Sequence, residues 1–246
     1  MKLEYKIKQK DSYKSINTIL KNELNISTRL LTKLIKNEKI FINENKCDTR
    51  NTANIGDVIE INFETPENNS NIVPTPTKLD IIYEDKWLLV VNKSAGIPIH
   101  PSGLHYADSL SNGIKYYFDS IGLAKKIRPV NRLDLDTSGL VIFAKCEYIQ
   151  ESFIRQMMDK TFQKKYLCLV DGFLEQKIGT INLPIARKNG SIMERCIDKN
   201  IGQPSTTYYE VIKQFHDFSL VKCRLETGRT HQIRVHLSSI GHPLLR

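Results

Sequence analysis

The chain of 246 residues has little that would direct it to a membrane, to secretion or to a nucleotide cofactor. Its first residues alternate apolar and charged side chains without the apolar core of a signal peptide, and no apolar run approaches the length of a membrane span. Neither a G-x-G-x-x-G nor a P-loop pattern occurs. These absences predict a cytoplasmic protein without a membrane partner.

The cysteines are few, odd in number and widely spaced, and no two of them form a C-x-x-C pair. This distribution indicates neither a disulfide framework nor a zinc site. The spacing of His231 and His236 does not suit a helical zinc pair either. We therefore expect reduced thiols, no metal and no cofactor. The five cysteines are Cys47, Cys146, Cys168, Cys196 and Cys223.

Basic residues outnumber acidic ones by 36 to 27, which gives a formal net charge of +9. Such a balance favours a polyanionic partner such as nucleic acid over an acidic small molecule. The alternative, a basic globular protein without such a partner, is common enough that charge alone does not decide. With 40% hydrophobic residues the chain can bury a core, and its length allows one large domain or two smaller ones.

Residues 11–62 have the pattern of a small module with two helices followed by two short strands. The second helix carries Arg29, Lys33 and Lys36 along one side, opposite an apolar face. The apolar positions are Ile16, Ile19, Leu20 and Leu24 in the first helix, and Leu30, Leu31, Leu34 and Ile35 in the second. This order of elements resembles the S-four-type (alpha-L) RNA-binding domain. The resemblance implies that the three cations contact RNA phosphates, whereas a solvated helix face is the alternative interpretation.

Residues 63–78 contain three prolines and little to bury, which predicts a linker. From residue 79 onward the pattern indicates a β-hairpin, a short helix over 107–119, a buried strand over 141–145 and a helix over about 147–158. Short strands then alternate with turns, which is more typical of antiparallel β structure than of βαβ crossovers. The predicted fold class is α+β.

The most unusual stretch is residues 129–140, which leads directly into that buried strand. It puts Arg132 and Asp134 two residues apart at the mouth of the strand, where charge is costly without a partner or a task. We interpret Asp134 as a catalytic nucleophile. The alternative is that residues 136–139 form a turn and that Asp134 only accepts hydrogen bonds from backbone donors there.

Four pieces of sequence, taken together and in this order, resemble the RluA/RluD-type RNA pseudouridine synthases. The resemblance spans residues 79–246 and implies the pseudouridine synthase fold, with a mixed, mainly antiparallel sheet and a central cleft. An alpha-L module ahead of the catalytic domain is a usual arrangement in this family. The pieces are Tyr83-Glu84-Asp85 to Asn92-Lys93 with Ala95-Gly96 and His100-Pro101; Arg132-Leu133-Asp134 with Thr137-Ser138-Gly139-Leu140; Lys165-Tyr166 with Val170 and Gly172; and Leu225 to His236.

What the resemblance implies is the isomerisation of uridine to pseudouridine in structured RNA, most simply large-subunit ribosomal RNA, without a cofactor. The sequence does not report the oligomeric state, and a monomer is the default expectation. Asp134 would attack the sugar C1′ or the uracil C6. Since it must stay ionised, an arginine is expected beside it, with Arg234 the first choice and Arg229 the rival. Arg132 would fill the gap left by the flipped base, and Tyr166 would pack on the uracil and relay a proton. Arg229 is also expected to bind RNA.

Other interpretations exist for each of these residues alone. Tyr166 could be an ordinary strand residue, and His231 and His236 could be loop histidines. A hydrolase triad of Ser138, His231 and Asp134 lacks the G-x-S-x-G elbow that would support it.

The sequence departs from the family pattern in three places. The family usually has His where Asn131 stands and Pro where Ser94 stands. It also continues beyond the Gly-His-Pro segment, whereas this sequence ends at Leu244-Leu245-Arg246. A shortened, catalytically inactive RNA-binding relative is therefore the alternative to an active enzyme.

Overall fold

The computed structural model describes residues 1–245, and the chain divides into two compact units, Met1–Arg155 and Gln156–Arg246. The first unit contains β1 (Lys2–Lys6), α1 (Ile16–Asn22), α2 (Thr28–Lys36), β2 (Ile40–Ile42), β3 (Asn45–Lys46), β4 (Val58–Asn62), β5 (Ile81–Glu84), β6 (Leu88–Lys93), α3 (Leu110–Ser120) and β7 (Gly139–Ala144). Helix α4 (Glu147–Met158) spans the boundary. The second unit contains β8 (Lys164–Asp171), β9 (Ile178–Asn182), β10 (Ile185–Arg187), β11 (Arg195–Ile197), β12 (Thr206–Gln214), β13 (Phe218–Leu225) and α5 (Gln232–Ser239).

The N-terminal module has the two predicted helices, each begun by a serine cap. Ser15 accepts a hydrogen bond from the backbone N–H of Thr18, and Ser27 accepts one from that of Leu30. Leu30, Leu31 and Leu34 are buried as predicted. Ile35 is exposed, because it lies outside the apolar stripe of this short helix.

The sheet of this module has the strand order β1-β4-β2-β3 and begins before the predicted start of the module at residue 11. Strand β1 pairs antiparallel with β4 along its whole length, from Lys2 opposite Asn62 to Lys6 opposite Val58. The alternation of apolar and charged residues at the N-terminus is therefore the alternation of a half-buried strand.

Residues 63–78 contain no helix or strand, as expected for a connecting segment, but this stretch is not a free tether. Phe63 is buried and stacks on Tyr148, with ring centroids 5.2 Å apart. The buried amide of Asn69 donates to the carbonyl oxygen of Lys125 at 2.6 Å and accepts from the backbone N–H of Ile127 at 3.0 Å. Polar side chains thus fix a segment whose composition suggested flexibility.

The middle of the first unit is the three-stranded sheet β5-β6-β7 covered by α3. Leu89 and Val91 of β6 and Val141 and Phe143 of β7 are fully buried against Ile114 and Phe118 of α3. A capping box between Ser109 and Asn112 begins this helix. The sheet provides a rigid base for the loop that follows Pro129.

The second unit is built on the four-stranded sheet β8-β13-β12-β9, with β10 and β11 forming a separate two-stranded hairpin. Val170, Val221, Cys223 and Leu237 form a core between this sheet and α5. All strand pairs named within residues 1–245 are antiparallel. Five α-helices and four antiparallel sheets in the described part of the chain confirm the α+β class.

None of the helices within residues 1–245 is long and apolar enough to cross a membrane.

Candidate active site

The loop that carries Asp134 is anchored at both ends on β7. Before it, the backbone N–H of Val130 donates to the carbonyl oxygen of Ile142 at 2.7 Å. At its centre, the N–H of Thr137 donates to the carbonyl oxygen of Asp134 at 3.1 Å and closes a turn. Asp134 is half-buried, whereas Arg132 and Asp136 are exposed. The carboxylates of Asp134 and Asp136 therefore differ in their access to solvent, although they lie two residues apart in the same loop.

Lys93 supports this loop from inside the protein. It is 1% exposed, and its ammonium group donates to the carbonyl oxygens of Ser94 at 2.9 Å, Ile97 at 2.7 Å and Leu135 at 2.9 Å. Burial lowers the pKa of Lys93, while the nearby charges of Asp136 and Asp134 act in the opposite direction. The three acceptors satisfy all three donors of the ammonium group, so the cation is fixed behind the Asp134 turn.

The burial of Lys93 is indicated by the sequence itself, through the alternation of residues along β6. In β6 the buried positions alternate, and Leu89, Val91 and Lys93 therefore point to the same face of the sheet. A lysine on the core face of a strand needs partners, and the turns on either side supply backbone carbonyls.

Asn131 takes the place of the histidine that the resemblance would lead one to expect. Its side-chain amide donates to the carbonyl oxygen of Leu140 at 2.9 Å and accepts from the backbone N–H of Ile142 at 3.0 Å. The side chain thus pairs with β7 in the same manner as a peptide group would. The uncharged residue holds the start of the Asp134 loop without a titratable group.

The other predicted catalytic residues belong to the second unit. Tyr166 is half-buried on β8, directly opposite Cys223 of β13 in the antiparallel register, and packs against the core of that unit. Arg234 is half-buried in the first turn of α5, and Arg229 is exposed in the turn before that helix. Asp134 and Arg132 thus lie in one unit, and Tyr166, Arg229 and Arg234 lie in the other.

A buried glutamine fixes the turn that carries Arg229. The side-chain oxygen of Gln232 accepts hydrogen bonds from the hydroxyl of Thr227 at 2.8 Å and from the backbone N–H of Arg229 at 3.0 Å. Its amide donates to the carbonyl oxygen of Thr206 at 3.0 Å and to the hydroxyl of Thr207 at 3.1 Å. Because Gln232 is 2% exposed and fully paired, it joins this turn rigidly to β12.

His236 extends the same network and is a buried helix residue, so the interpretation as a loop histidine is wrong for it. Its Nε2 lies 2.9 Å from the carbonyl oxygen of Leu183 and must donate, since a carbonyl only accepts. Its Nδ1 then accepts from the Thr207 hydroxyl at 2.9 Å. Burial lowers the pKa of His236, although the bond to Leu183 acts in the opposite direction. His231, by contrast, is the N-cap of α5 with a φ of 58°.

Positive charge is concentrated around the same turn. Lys164 at the start of β8 donates to the carbonyl oxygen of Thr227 at 3.4 Å. Burial lowers the pKa of Lys164, and the charge of Arg229 lowers it further. Cations held this close together favour an anionic ligand.

The three cations predicted on α2 differ in their surroundings. All three are exposed, but Lys33 pairs with Glu147 at 2.9 Å and lies 3.7 Å from Glu67. Glu67 in turn accepts two hydrogen bonds from the guanidinium of Arg128, one of them at 2.7 Å. Burial acts to raise the pKa of Glu67, but the hydrogen bonds and charge of Arg128, the backbone N–H of Lys126 and the charge of Lys33 together outweigh burial, and the pKa is lowered. Lys33 therefore belongs to an ion-pair network with residues outside the N-terminal module.

Comparison with known proteins gives a consistent result. The sequence model of the family described as "RNA pseudouridylate synthase" matches residues 87–239. A Bacillus subtilis protein named uncharacterized RNA pseudouridine synthase YlyB is 37% identical over 213 residues, which cover 85% of this chain and 70% of that relative. The ribosomal large subunit pseudouridine synthase D of Neisseria meningitidis serogroup B is 34% identical over 87% of this chain and 57% of that relative.

A solved structure, human RNA pseudouridylate synthase domain containing 1, superposes with a TM-score of 0.56 at 30% identity and covers 68% of this chain and 67% of its own. The fold, the matched family model and the relatives agree. The chain belongs to the RNA pseudouridylate synthase family, which is a family of isomerases that act on RNA.

Proposed function

We propose that this protein converts uridine to pseudouridine in a structured RNA, and that the RNA is large-subunit ribosomal RNA. The ribosomal target is supported by the relatives named for the large subunit, at 34% to 37% identity. The observation that carries the proposal is the half-buried Asp134 on a turn fixed from behind by the buried ammonium of Lys93. A carboxylate with this restricted freedom is suited to nucleophilic attack.

The isomerisation exchanges one bond of the base for another and needs no external reactant. The bond from N1 of uracil to C1′ of the ribose breaks, the base rotates, and C5 forms a bond with the same C1′. Asp134 attacks either C1′ or C6, and the covalent intermediate holds the base or the sugar during the rotation. The proton on C5 then leaves, and N1 gains a proton.

The remaining site residues have roles that follow from their chemistry. Tyr166 stacks on the uracil ring and relays the C5 proton. Arg234 is the cation for the Asp134 carboxylate, with Arg229 as the rival. Arg132, which is exposed beside Asp134, takes the place of the flipped nucleotide in the RNA stack. Arg234→Gln and Arg229→Gln distinguish the two candidates. The value of kcat should fall only when the arginine that pairs with Asp134 is replaced.

Residues 11–62 are proposed to form an S-four-type RNA-binding domain, joined by residues 63–78 to a catalytic domain over residues 79–246. The two serine-capped helices and the exposed Arg29 and Lys36 on α2 support this assignment. Lys33 is included among the RNA contacts, although Glu147 and Glu67 compete for it. The module contributes phosphate contacts and not base recognition.

We further propose that the protein works as a cytoplasmic monomer without a metal or an organic cofactor. The reaction balances without a redox step, so acid–base and nucleophilic groups suffice for it.

RNA that contains 5-fluorouridine provides a direct test of the proposal. Fluorine at C5 blocks the loss of the C5 proton, so an active enzyme should form a stable complex with this RNA. The complex should be absent for Asp134→Asn. Retained RNA binding without complex formation or turnover by the unmodified protein would instead identify an inactive RNA-binding relative.

A further inference from the structure

The hairpin of β10 and β11 places two arginines directly opposite each other. In the antiparallel register Arg187 faces Arg195, so both guanidinium groups lie on the same face of a two-stranded sheet. Like charges in directly opposed positions disfavour the pairing of two strands. The arrangement therefore suggests a ligand that offsets the repulsion.

Both arginines line an open cavity of about 290 Å³ in the second unit. A third arginine, Arg229, reaches the same cavity from the turn before α5, and its Nε donates to the carbonyl oxygen of Pro204 at 3.4 Å. None of the lining residues is acidic. They are Ile185, Ala186, Arg187, Arg195, Ile201, Gln203, Arg229 and Thr230.

The acidic residue next to Arg195 does not neutralise this cavity. Glu194 pairs with Lys188 at 2.6 Å, on the other side of the hairpin strand from Arg187. Arg195 itself donates through Nη1 to the carbonyl oxygens of Met193 at 3.3 Å and Glu194 at 3.1 Å. These bonds orient one edge of the guanidinium, which carries five N–H donors in total.

The cavity is held in place by rigid structure. The backbone of Arg229 is bonded to the buried Gln232, and β10 is bonded to β11 over its three residues. The volume is near the lower end of small-molecule sites, about 300 Å³, which is more than a phosphate group needs and enough for a phosphate with an adjoining sugar.

We propose that Arg187, Arg195 and Arg229 bind a phosphodiester group of the RNA substrate in this cavity. Guanidinium groups match the geometry of phosphate oxygens with paired N–H donors, and one bound phosphate would offset the opposition of Arg187 and Arg195. Gln203 and Thr230 provide polar side chains for the neighbouring ribose. This assignment rests on the proposed function in so far as the ligand is RNA.

The test measures the binding of a fluorescent single-stranded oligouridylate to the full chain as a function of salt. Replacing Arg187 and Arg195 together with Gln should reduce the magnitude of the slope of log K against log salt by about 0.7, the value for one lost phosphate contact on a single strand. Arg187→Gln and Arg195→Gln alone should each reduce it by part of that amount, since the other two arginines still contact the phosphate. Lys188→Gln, which removes the same charge from the same hairpin, should leave the slope unchanged. Arg187→Lys should keep most of the slope but bind more weakly, since the paired donors are lost.

An oligonucleotide with an uncharged backbone gives a second readout. It distinguishes the loss of a phosphate contact from the loss of folded protein. With an oligomer of methylphosphonate linkages, the difference between the unmodified protein and either arginine variant should disappear. The proposal is overturned if Arg187→Gln and Arg195→Gln have the slope of Lys188→Gln, or if the difference persists on the neutral oligomer.

These outcomes are separate from the failure of the proposed function. If the unmodified protein forms pseudouridine while the arginine variants behave like Lys188→Gln, the phosphate site alone is wrong. If the slopes change as expected but no pseudouridine is formed, the site is supported and the isomerase assignment fails.

Discussion

The buried ammonium of Lys93 donates to the carbonyl oxygen of Leu135, the residue between Asp134 and Asp136, at a distance of 2.9 Å. The same carbonyl also accepts from the backbone N–H of Gly96 at 2.9 Å. One side chain thus connects the end of β6, the following loop and the turn that carries the proposed nucleophile.

Replacing Lys93 with Met should therefore affect both stability and catalysis. The change keeps the aliphatic stem but leaves buried carbonyl groups without a donor, and we expect the free energy of unfolding to fall by about 3 kcal/mol. In the folded fraction, kcat should fall by about 100-fold with little change in KM, because Asp134 is misplaced and not removed. Urea unfolding and steady-state kinetics measure the two effects.

Lys126→Met provides the control, since Lys126 is exposed in the same unit. A folded Lys93→Met protein with unchanged kcat would show that the lysine does not position the Asp134 turn.

The ion pair of Arg128 and Glu67 is the second point at which one substitution should have a large effect. Both side chains are nearly inaccessible, at 7% and 11% exposure. Arg128→Met leaves a buried carboxylate without its partner and should lower the free energy of unfolding by about 3 kcal/mol at pH 7. The additional exchange Glu67→Gln should restore part of that loss, which would not happen if Arg128 acted only through packing.

The lowered pKa of Glu67 also predicts the direction of a pH effect. A carboxyl group with a lower pKa in the folded state stabilises the protein above its unfolded pKa, about 4.3, and this contribution is lost as pH falls through the folded value. The unmodified protein should therefore lose stability below about pH 4 more steeply than Glu67→Gln does. Equal slopes for the two proteins would contradict the assignment.

His236 should contribute a pH dependence in a higher range. Its pKa is lowered in the folded state, so the unfolded chain binds the proton more readily, and stability falls as pH decreases below about 6.5. The slope for one such group is at most about 1.4 kcal/mol per pH unit. The pKa of His100 is also lowered, but its side chain is exposed to solvent, so its contribution to this pH dependence should be the smaller one.

Comparison with variants isolates His236. His236→Gln should flatten the decline in stability between about pH 7 and pH 5.5. His216→Asn is the control, because the side chain of His216 is 96% exposed. If His236→Gln keeps the full slope in chemical unfolding, the buried imidazole is not the group that titrates.

The cations of α2 should separate into two classes. Arg29→Gln and Lys36→Gln are expected to weaken RNA binding and to reduce its salt dependence. The reason is that the ion pairs within residues 1–245 include Lys33 but neither Arg29 nor Lys36. Lys33→Gln should weaken RNA binding less, because Glu147 and Glu67 already neutralise it. Its cost to stability should be small, about 0.5 kcal/mol, since the side chain is 43% exposed. An equal loss of RNA affinity in all three variants would contradict this division.

Much of the secondary structure could be predicted from apolar periodicity. Helix α4 has the bounds 147–158 that the apolar pattern predicts, and β7 covers residues 139–144, where the pattern predicts a buried strand over 141–145. Strand β7 buries Val141, Phe143 and Ala144, whereas α4 has half-buried positions and no fully buried residue. The local apolar pattern was sufficient for both elements. The coarse fold class followed from the alternation of short strands and turns.

The features that could not be predicted depend on contacts between distant residues. No local pattern in residues 63–78 reveals that Asn69 bonds to Lys125 and Ile127, or that Glu67 pairs with Arg128. The network of Gln232, Thr207 and His236 likewise joins a helix to a strand about 25 residues away. Lys93 is an intermediate case. The alternation of β6 indicates that its side chain faces the core, but it does not indicate which carbonyl oxygens accept its hydrogen bonds.

The central claim, that Asp134 is the nucleophile of a uridine isomerase, is tested most directly by mapping pseudouridine in large-subunit ribosomal RNA incubated with the purified protein. Asp136→Asn serves as the matched control, because it neutralises an exposed carboxylate two residues away in the same turn. We expect site-specific pseudouridine with the unmodified protein and with Asp136→Asn, and none with Asp134→Asn, although RNA binding is retained. Pseudouridine formation by Asp134→Asn at the unmodified rate would contradict the claim.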